Sequence, residues 1–189
     1  AEVNTHFDVL SYQGSTNQEK NLGSLFVIGH IKYEKEDLSY IVNLISSLAK
    51  REYYSEVSLQ DQSPRSSFER MLKKINEVLE DFFKNRDFLL NLGLASIAGE
   101  TIYISRLGKF KIGLARNGKY IDILNNVDLF NKDLTQEKKF SNIISGKVKS
   151  GDKIFAYFPG RPVSSREKTI NNLLVKETQN SFDEKIAQF

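Results

Sequence analysis

The side chains able to do chemistry are sparse in this chain. It has two histidines, His6 and His30, and no cysteine. A zinc centre takes three or four His, Cys or acidic ligands at close spacing, and neither imidazole has an acidic pattern around it, so both read as surface or strand-end residues. A serine nucleophile needs a G-x-S-x-G elbow and a neighbouring base, and no such segment occurs. Ala1 offers neither hydroxyl nor thiol to N-terminal nucleophile chemistry, which leaves only Thr5, were processing to expose it. Gly108 and Gly113 lack the following helix that would aim backbone N–H groups at a phosphate. Asp152 follows Gly151 in a polar stretch and reads as a turn cap.

Composition narrows the function classes further. The 189 residues (21.6 kDa) are 40% apolar and 27% charged, with 13 Phe and 8 Tyr as bulky core material, which fits one globular domain spanning 1–189. A net charge of +3, with Lys interspersed with Glu, lacks the massed basic face that a nucleic-acid partner selects. No run nears the roughly 18 apolar residues that cross a bilayer, and no signal-peptide layout opens the chain. Absence of cysteine suits a reducing cytoplasm. The first residue is Ala and the last ones are amphipathic, which is compatible with a domain excised from a longer protein, including the cytoplasmic part of a membrane-anchored one.

The elements that must position these residues follow from periodicity. Phe7 to Leu10 and Leu22 to Ile31 read as strands, the run Leu25-Phe26-Val27-Ile28 as one covered on both faces, with a loop from Ser11 to Asn21 between them. From Asp37, expected as an N-cap, apolar residues Leu38, Ile41, Val42, Ile45, Leu48 and Ala49 trace one side of a helix to about Tyr54. Ser55 to Pro64 reads as a polar connection. Phe68, Met71, Leu72, Ile75, Val78, Leu79, Phe82 and Phe83 then form a long helical stripe suited to lying on a sheet. After Asn91 the period becomes two: a hairpin turning at Ala98-Gly99-Glu100, then strands flanking Asn117-Gly118, a pair suited to a type I′ turn. Asn125 to Lys139 reads as loop, Ile154 to Phe158 as a strand, and Thr169 to Phe189 as amphipathic helix. Helices followed by a meander indicate α+β segregation, with helices outside two antiparallel sheets.

Two segments, NLGLASIAGETIYISRLGKFKIGLARNGKYIDIL and FSNIISGKVKSGDKIFAYFPGRP, resemble the core meander and the SG-x-L-x-x-GD turn of metal-dependent phosphatases of the PPM type. The similarity runs from about Phe7 to Leu174. It implies a four-layer α/β/β/α sandwich and, in active relatives, carboxylates that hold divalent cations and so generate the attacking hydroxide. At the positions matching those carboxylates the chain presents Gly29 at the end of Leu25-Phe26-Val27-Ile28, Lys109 in Gly108-Lys109-Phe110-Lys111, and Pro159 before Gly160. None offers a side-chain carboxylate to a hard cation. In the early loop only Glu19 of Asn17-Gln18-Glu19 remains as an acid.

This pattern implies a pseudophosphatase without metal or other cofactor, acting as a regulatory module on a protein partner or a small anionic ligand. Lys109, with His30 and Arg161, forms a candidate anion-binding set, since Arg forks match phosphate oxygens. The alternative is a divergent metal-dependent serine/threonine phosphatase using Glu19, Asp128 or Asp152. A third reading makes Phe182, Ile186 and Phe189 a docking helix.

Overall fold

The computed structural model describes residues 2–124, 139–140, 142–160, 163 and 165–187. Their elements, in order, are β1 (Asn4–Gln13), α1 (Asn17–Leu22), β2 (Ser24–Tyr33), α2 (Ile41–Tyr53), α3 (Glu56–Asp61), α4 (Pro64–Lys84), β3 (Phe88–Ala98), β4 (Thr101–Leu107), β5 (Lys111–Arg116), β6 (Lys119–Asp122), β7 (Ile144–Lys147), β8 (Lys153–Tyr157), α5 (Glu167–Lys176) and α6 (Gln179–Ile186). The strands form two antiparallel sheets, β1-β2-β3-β4-β7 and β6-β5-β8, and helices flank them, so the α+β class expected from the sequence is the one observed. The chain divides into two compact units, residues 1–108 with 136–148, and 109–135 with 149–189; each contains one sheet. The loop expected over 125–139 lies, up to residue 138, outside the described residues.

In the first unit, α4 begins where Ser63 accepts a hydrogen bond from the Ser66 N–H and Pro64 occupies the first turn, a position where its missing N–H costs nothing. Its buried Phe68, Met71, Leu72, Ile75 and Leu79 are the stripe read from the sequence. Each such side chain stabilises the fold by about 1.5–3 kcal/mol on burial. They meet Ile41, Val42, Ile45 and Ala49 of α2 and Leu25, Val27, Ile31, Leu90, Leu92 and Leu94 of the sheet in one core. Strand β2 differs from the expected doubly covered strand: Leu25, Val27 and Ile31 are buried, while Phe26 on the opposite face is 38% exposed. Four adjacent apolar residues signal burial without saying on how many faces. Two short helices also replace expected loop. Thr16 and Glu19 form a reciprocal capping box that starts α1, and Ser55 caps α3. Asp37 does not cap α2, whose N-cap is Tyr40 without a side-chain bond; Asp37 instead accepts from the N–H and Oγ of Ser39 at 3.0 and 2.7 Å, closing a turn ahead of the helix.

The second unit is built on β5. Asn117 and Gly118 have φ of 52° and 72°, the paired positive angles of the type I′ turn between β5 and β6. Ala115, Ile170, Leu174 and Phe182 form its core. The Phe182 ring meets that of Phe155 edge to face, with centroids 5.2 Å apart. Phe182 is therefore core and not a docking residue, which corrects that part of the tail reading; Phe189 lies outside the described residues. Lys153 Nζ donates to the carbonyls of Leu174, Val175 and Glu177, neutralising the negative end of α5 as a cation at a helix C-terminus does.

Candidate functional site

Strand β2 places Gly29 opposite Asp8 of β1 and Leu92 of β3, and His30 opposite Phe7 and Asn91. Successive residues point to opposite faces, and the two faces differ in what they can hold. A Cβ added at Gly29 would lie 2.5 Å from Val42 Cγ1 and 3.0 Å from Leu92 Cδ2. The position faces the packed side of the sheet under α2, where a larger side chain would have to displace those of Val42 and Leu92. His30 lies on the other face, with its Nδ1 3.4 Å from Asn91 Nδ2. Burial first, then the nearby Lys32, lowers its pKa. Asn91 in turn sits against Gly108, whose φ is +73° and whose added Cβ would come within 2.4 Å of Asn91 Oδ1. Both the angle and the close approach require glycine there.

The acids read as alternative metal ligands are committed locally. The Glu19 carboxylate accepts from the Ser15 N–H (2.9 Å), the Ser15 hydroxyl (2.8 Å) and the Thr16 N–H (3.1 Å). The Ser15 hydrogen bonds, ahead of that from Thr16, lower its pKa. In the second unit Asp152 receives a two-pronged contact from Arg116, Nε at 2.9 Å and Nη2 at 2.6 Å, and the Lys149 N–H at 2.7 Å. Arg116, and after it the Lys149 N–H, bring its pKa down to about 2. Asp152 thus caps the turn ahead of β8, as its sequence context indicated, with an added arginine clamp. Asp128 lies outside the described residues.

The remaining predicted positions are not assembled into a described site. Lys109 is exposed and opens the second unit. Pro159 is the middle residue of a tight turn in which the Gly160 N–H donates to the Phe158 carbonyl at 2.9 Å, an i to i+2 bond. Arg161 lies outside the described residues. Two polar arrangements went unread in the sequence. Asn76 on α4 binds the backbone of Phe140 twice, accepting its N–H at 2.7 Å and donating to its carbonyl at 2.8 Å, so one amide side chain holds a crossing segment as a strand partner would. Glu167 on α5 accepts from Tyr157 (2.9 Å) and Lys111 (3.3 Å); burial, and after it this contact, push the Tyr157 pKa up. Neither has a signal in local spacing, because each joins residues on separate segments, Asn76 with Phe140 and Glu167 with Tyr157 and Lys111.

A divalent-metal centre of the kind the resemblance implies for an active enzyme needs several oxygen ligands converging on one point. Among the described residues no group of three or more His, Cys, Asp or Glu could hold a metal ion, and Gly29 has no room for a carboxylate. The described residues do not fit such a centre.

No family model matches the chain and no curated protein matches it. Solved structures do. A bacterial serine phosphatase carrying an arginine-to-alanine substitution superposes with a TM-score of 0.64 at 12% identity, covering 98% of this chain and 91% of that one. The catalytic domain of the serine/threonine protein phosphatase PstP, in complex with 2 manganese ions, superposes with a TM-score of 0.53 at 12% identity over 98% of this chain and 91% of its own. PppA, a key regulatory component of T6SS in Pseudomonas aeruginosa, gives 0.55 at 12% identity over 96% and 92%. At these identities what is shared is the fold, and this chain has the fold of the PPM-type serine/threonine phosphatases.

Proposed function

We propose that the chain is a catalytically inactive domain of phosphatase fold that works by binding, as a regulatory module for a protein partner or a small anionic ligand in the cytoplasm. The observation that supports this most directly is the commitment of its acids: Glu19 is held by its own helix cap and Asp152 by Arg116, while Gly29 faces a packed helix. A reaction that depends on metal-activated water has no ligand set among the described residues. PppA is named as a regulatory component of its own system, so regulatory use of this fold has a precedent. His30, Lys109 and Arg161 are the residues proposed to meet an anion. No described helix is long and apolar enough to cross a membrane.

The test is release of p-nitrophenol from p-nitrophenyl phosphate with manganese, run beside calorimetric titration with manganese alone. The expected outcome is release no faster than the protein-free blank and no stoichiometric heat. Turnover abolished by a chelator would replace this reading with that of a divergent metal-dependent phosphatase.

A further inference from the structure

Strand β1 is an outer strand of its sheet among the described residues, and of the usual protections of a sheet edge it carries one, the charged Asp8. Its sequence NTHFDVLSYQ spans 10 residues without proline, lysine or a bulge, the other devices that keep edges from pairing with other chains. Alternate residues on one face are apolar and open to solvent: Phe7 is 51% and Val9 58% exposed. By the sheet register, Phe26 of β2 and Leu89 of β3, each 38% exposed, share that face.

We infer that β1 pairs with β1 of a second copy of this chain, antiparallel and centred on Phe7, joining two five-stranded sheets into one. A two-fold axis perpendicular to the sheet makes the interface self-complementary and keeps the two apolar faces on the same side. The register is selected by charge. Centred on Phe7, it sets His6 opposite Asp8 of the partner subunit, twice by symmetry, and Phe7 opposite Phe7 of the partner subunit. Centring on Asp8 would oppose two carboxylates, which is destabilising, and centring on Val9 or His6 leaves Asp8 facing Leu10 or Asn4. The strand's one acid and one imidazole are thus matched in the Phe7 register. Within the chain, His6 Nε2 is buried without a hydrogen-bond partner, and His6 interacts electrostatically with Asp37; Asp8 Oδ1 accepts from its neighbour, the Val9 N–H, at 2.9 Å. Exchanging that local bond for a cross-strand one, with Thr5 of the partner subunit opposite Val9, frees the carboxylate to face His6. Main-chain bonds supply the affinity, as in other strand additions. The pairing is independent of whether the chain turns over phosphate.

The natural absence of cysteine makes single-cysteine variants of the whole chain a direct test. In the Phe7 register, Phe7→Cys sets two thiols on directly opposed residues, about 5.5 Å apart at Cα and within disulfide reach. Val9→Cys sets its two thiols four residues apart along the ladder, about 13 Å. The expected result is a disulfide-linked dimer for Phe7→Cys and none for Val9→Cys. Sedimentation velocity of the unsubstituted chain should show a dimer growing with concentration. Asp8→Lys should weaken it roughly tenfold, and the double exchange His6→Asp with Asp8→His should restore it with unchanged circular dichroism. A monomer at every concentration reached, or cross-linking of Val9→Cys as fast as Phe7→Cys, would overturn the pairing, whatever other partner the strand takes.

Discussion

An aspartate placed at Gly29 would push its Cβ into Val42 and Leu92 and bring a carboxylate onto the same face as Asp8. Overpacking and an unpaired buried charge both oppose it, so Gly29→Asp should lose about 3 kcal/mol or more in urea denaturation and should not gain manganese-dependent phosphatase activity. An unchanged midpoint with stoichiometric manganese binding would mean that the position opens toward a metal after all. Asp152 makes a prediction of the opposite kind, about a charge already in place. Its pKa lies below the ordinary 3.8, chiefly because of Arg116, so its contribution is present above that ordinary value and is lost as pH falls toward about 2. Melting temperature should therefore fall between about pH 4 and about pH 2 more steeply in the natural chain than in Asp152→Asn. Identical slopes would show that the Arg116 clamp contributes nothing to folding.

The elements were legible in proportion to how local their causes are. The α4 stripe, the Asn117-Gly118 turn and the strand before Pro159 each rest on neighbours in sequence, and each stands where periodicity or turn chemistry placed it. Helix α1 was read as loop, because a polar six-residue stretch invites that reading, although Thr16 and Glu19 spell the spacing of a capping box. Strand β7 was not legible. Ser145-Gly146 looks like turn chemistry, and only pairing with β4 makes it extended. For the site, the sequence offered Glu19 and Asp152 as acids but not that Ser15 and Arg116 hold them, because such a hydrogen bond is a property of the folded loop. The amphipathic tail illustrates the same division: its apolar period was visible, its destination was not. Phe182 is buried against Phe155, so Phe182→Ala should cost about 3–5 kcal/mol and deletion of Ser181 to Phe189 should lower the melting temperature. A tail that could be removed with no change in melting would be a docking helix instead.

Across the whole molecule, the chain passes between its two units three times, after Gly108, Thr135 and Val148. Strand β7 and Phe140, which complete the sheet and core of the first unit, are reached only after the chain has contributed β5 and β6 to the second. Neither unit is a continuous stretch of sequence, so neither can be made by stopping the chain early. A fragment ending at Gly108 lacks both β7 and the Phe140 backbone that Asn76 holds. This interleaving, together with the single-domain length, predicts one cooperative thermal transition. Calorimetry should give an unfolding enthalpy of about 130 kcal/mol near 60 °C, at about 0.7 kcal/mol per residue, and a van't Hoff enthalpy equal to it, the signature of two-state behaviour. A calorimetric enthalpy well above the van't Hoff value, resolving into two transitions with Phe182→Ala lowering only one, would show that the units fold as separate domains.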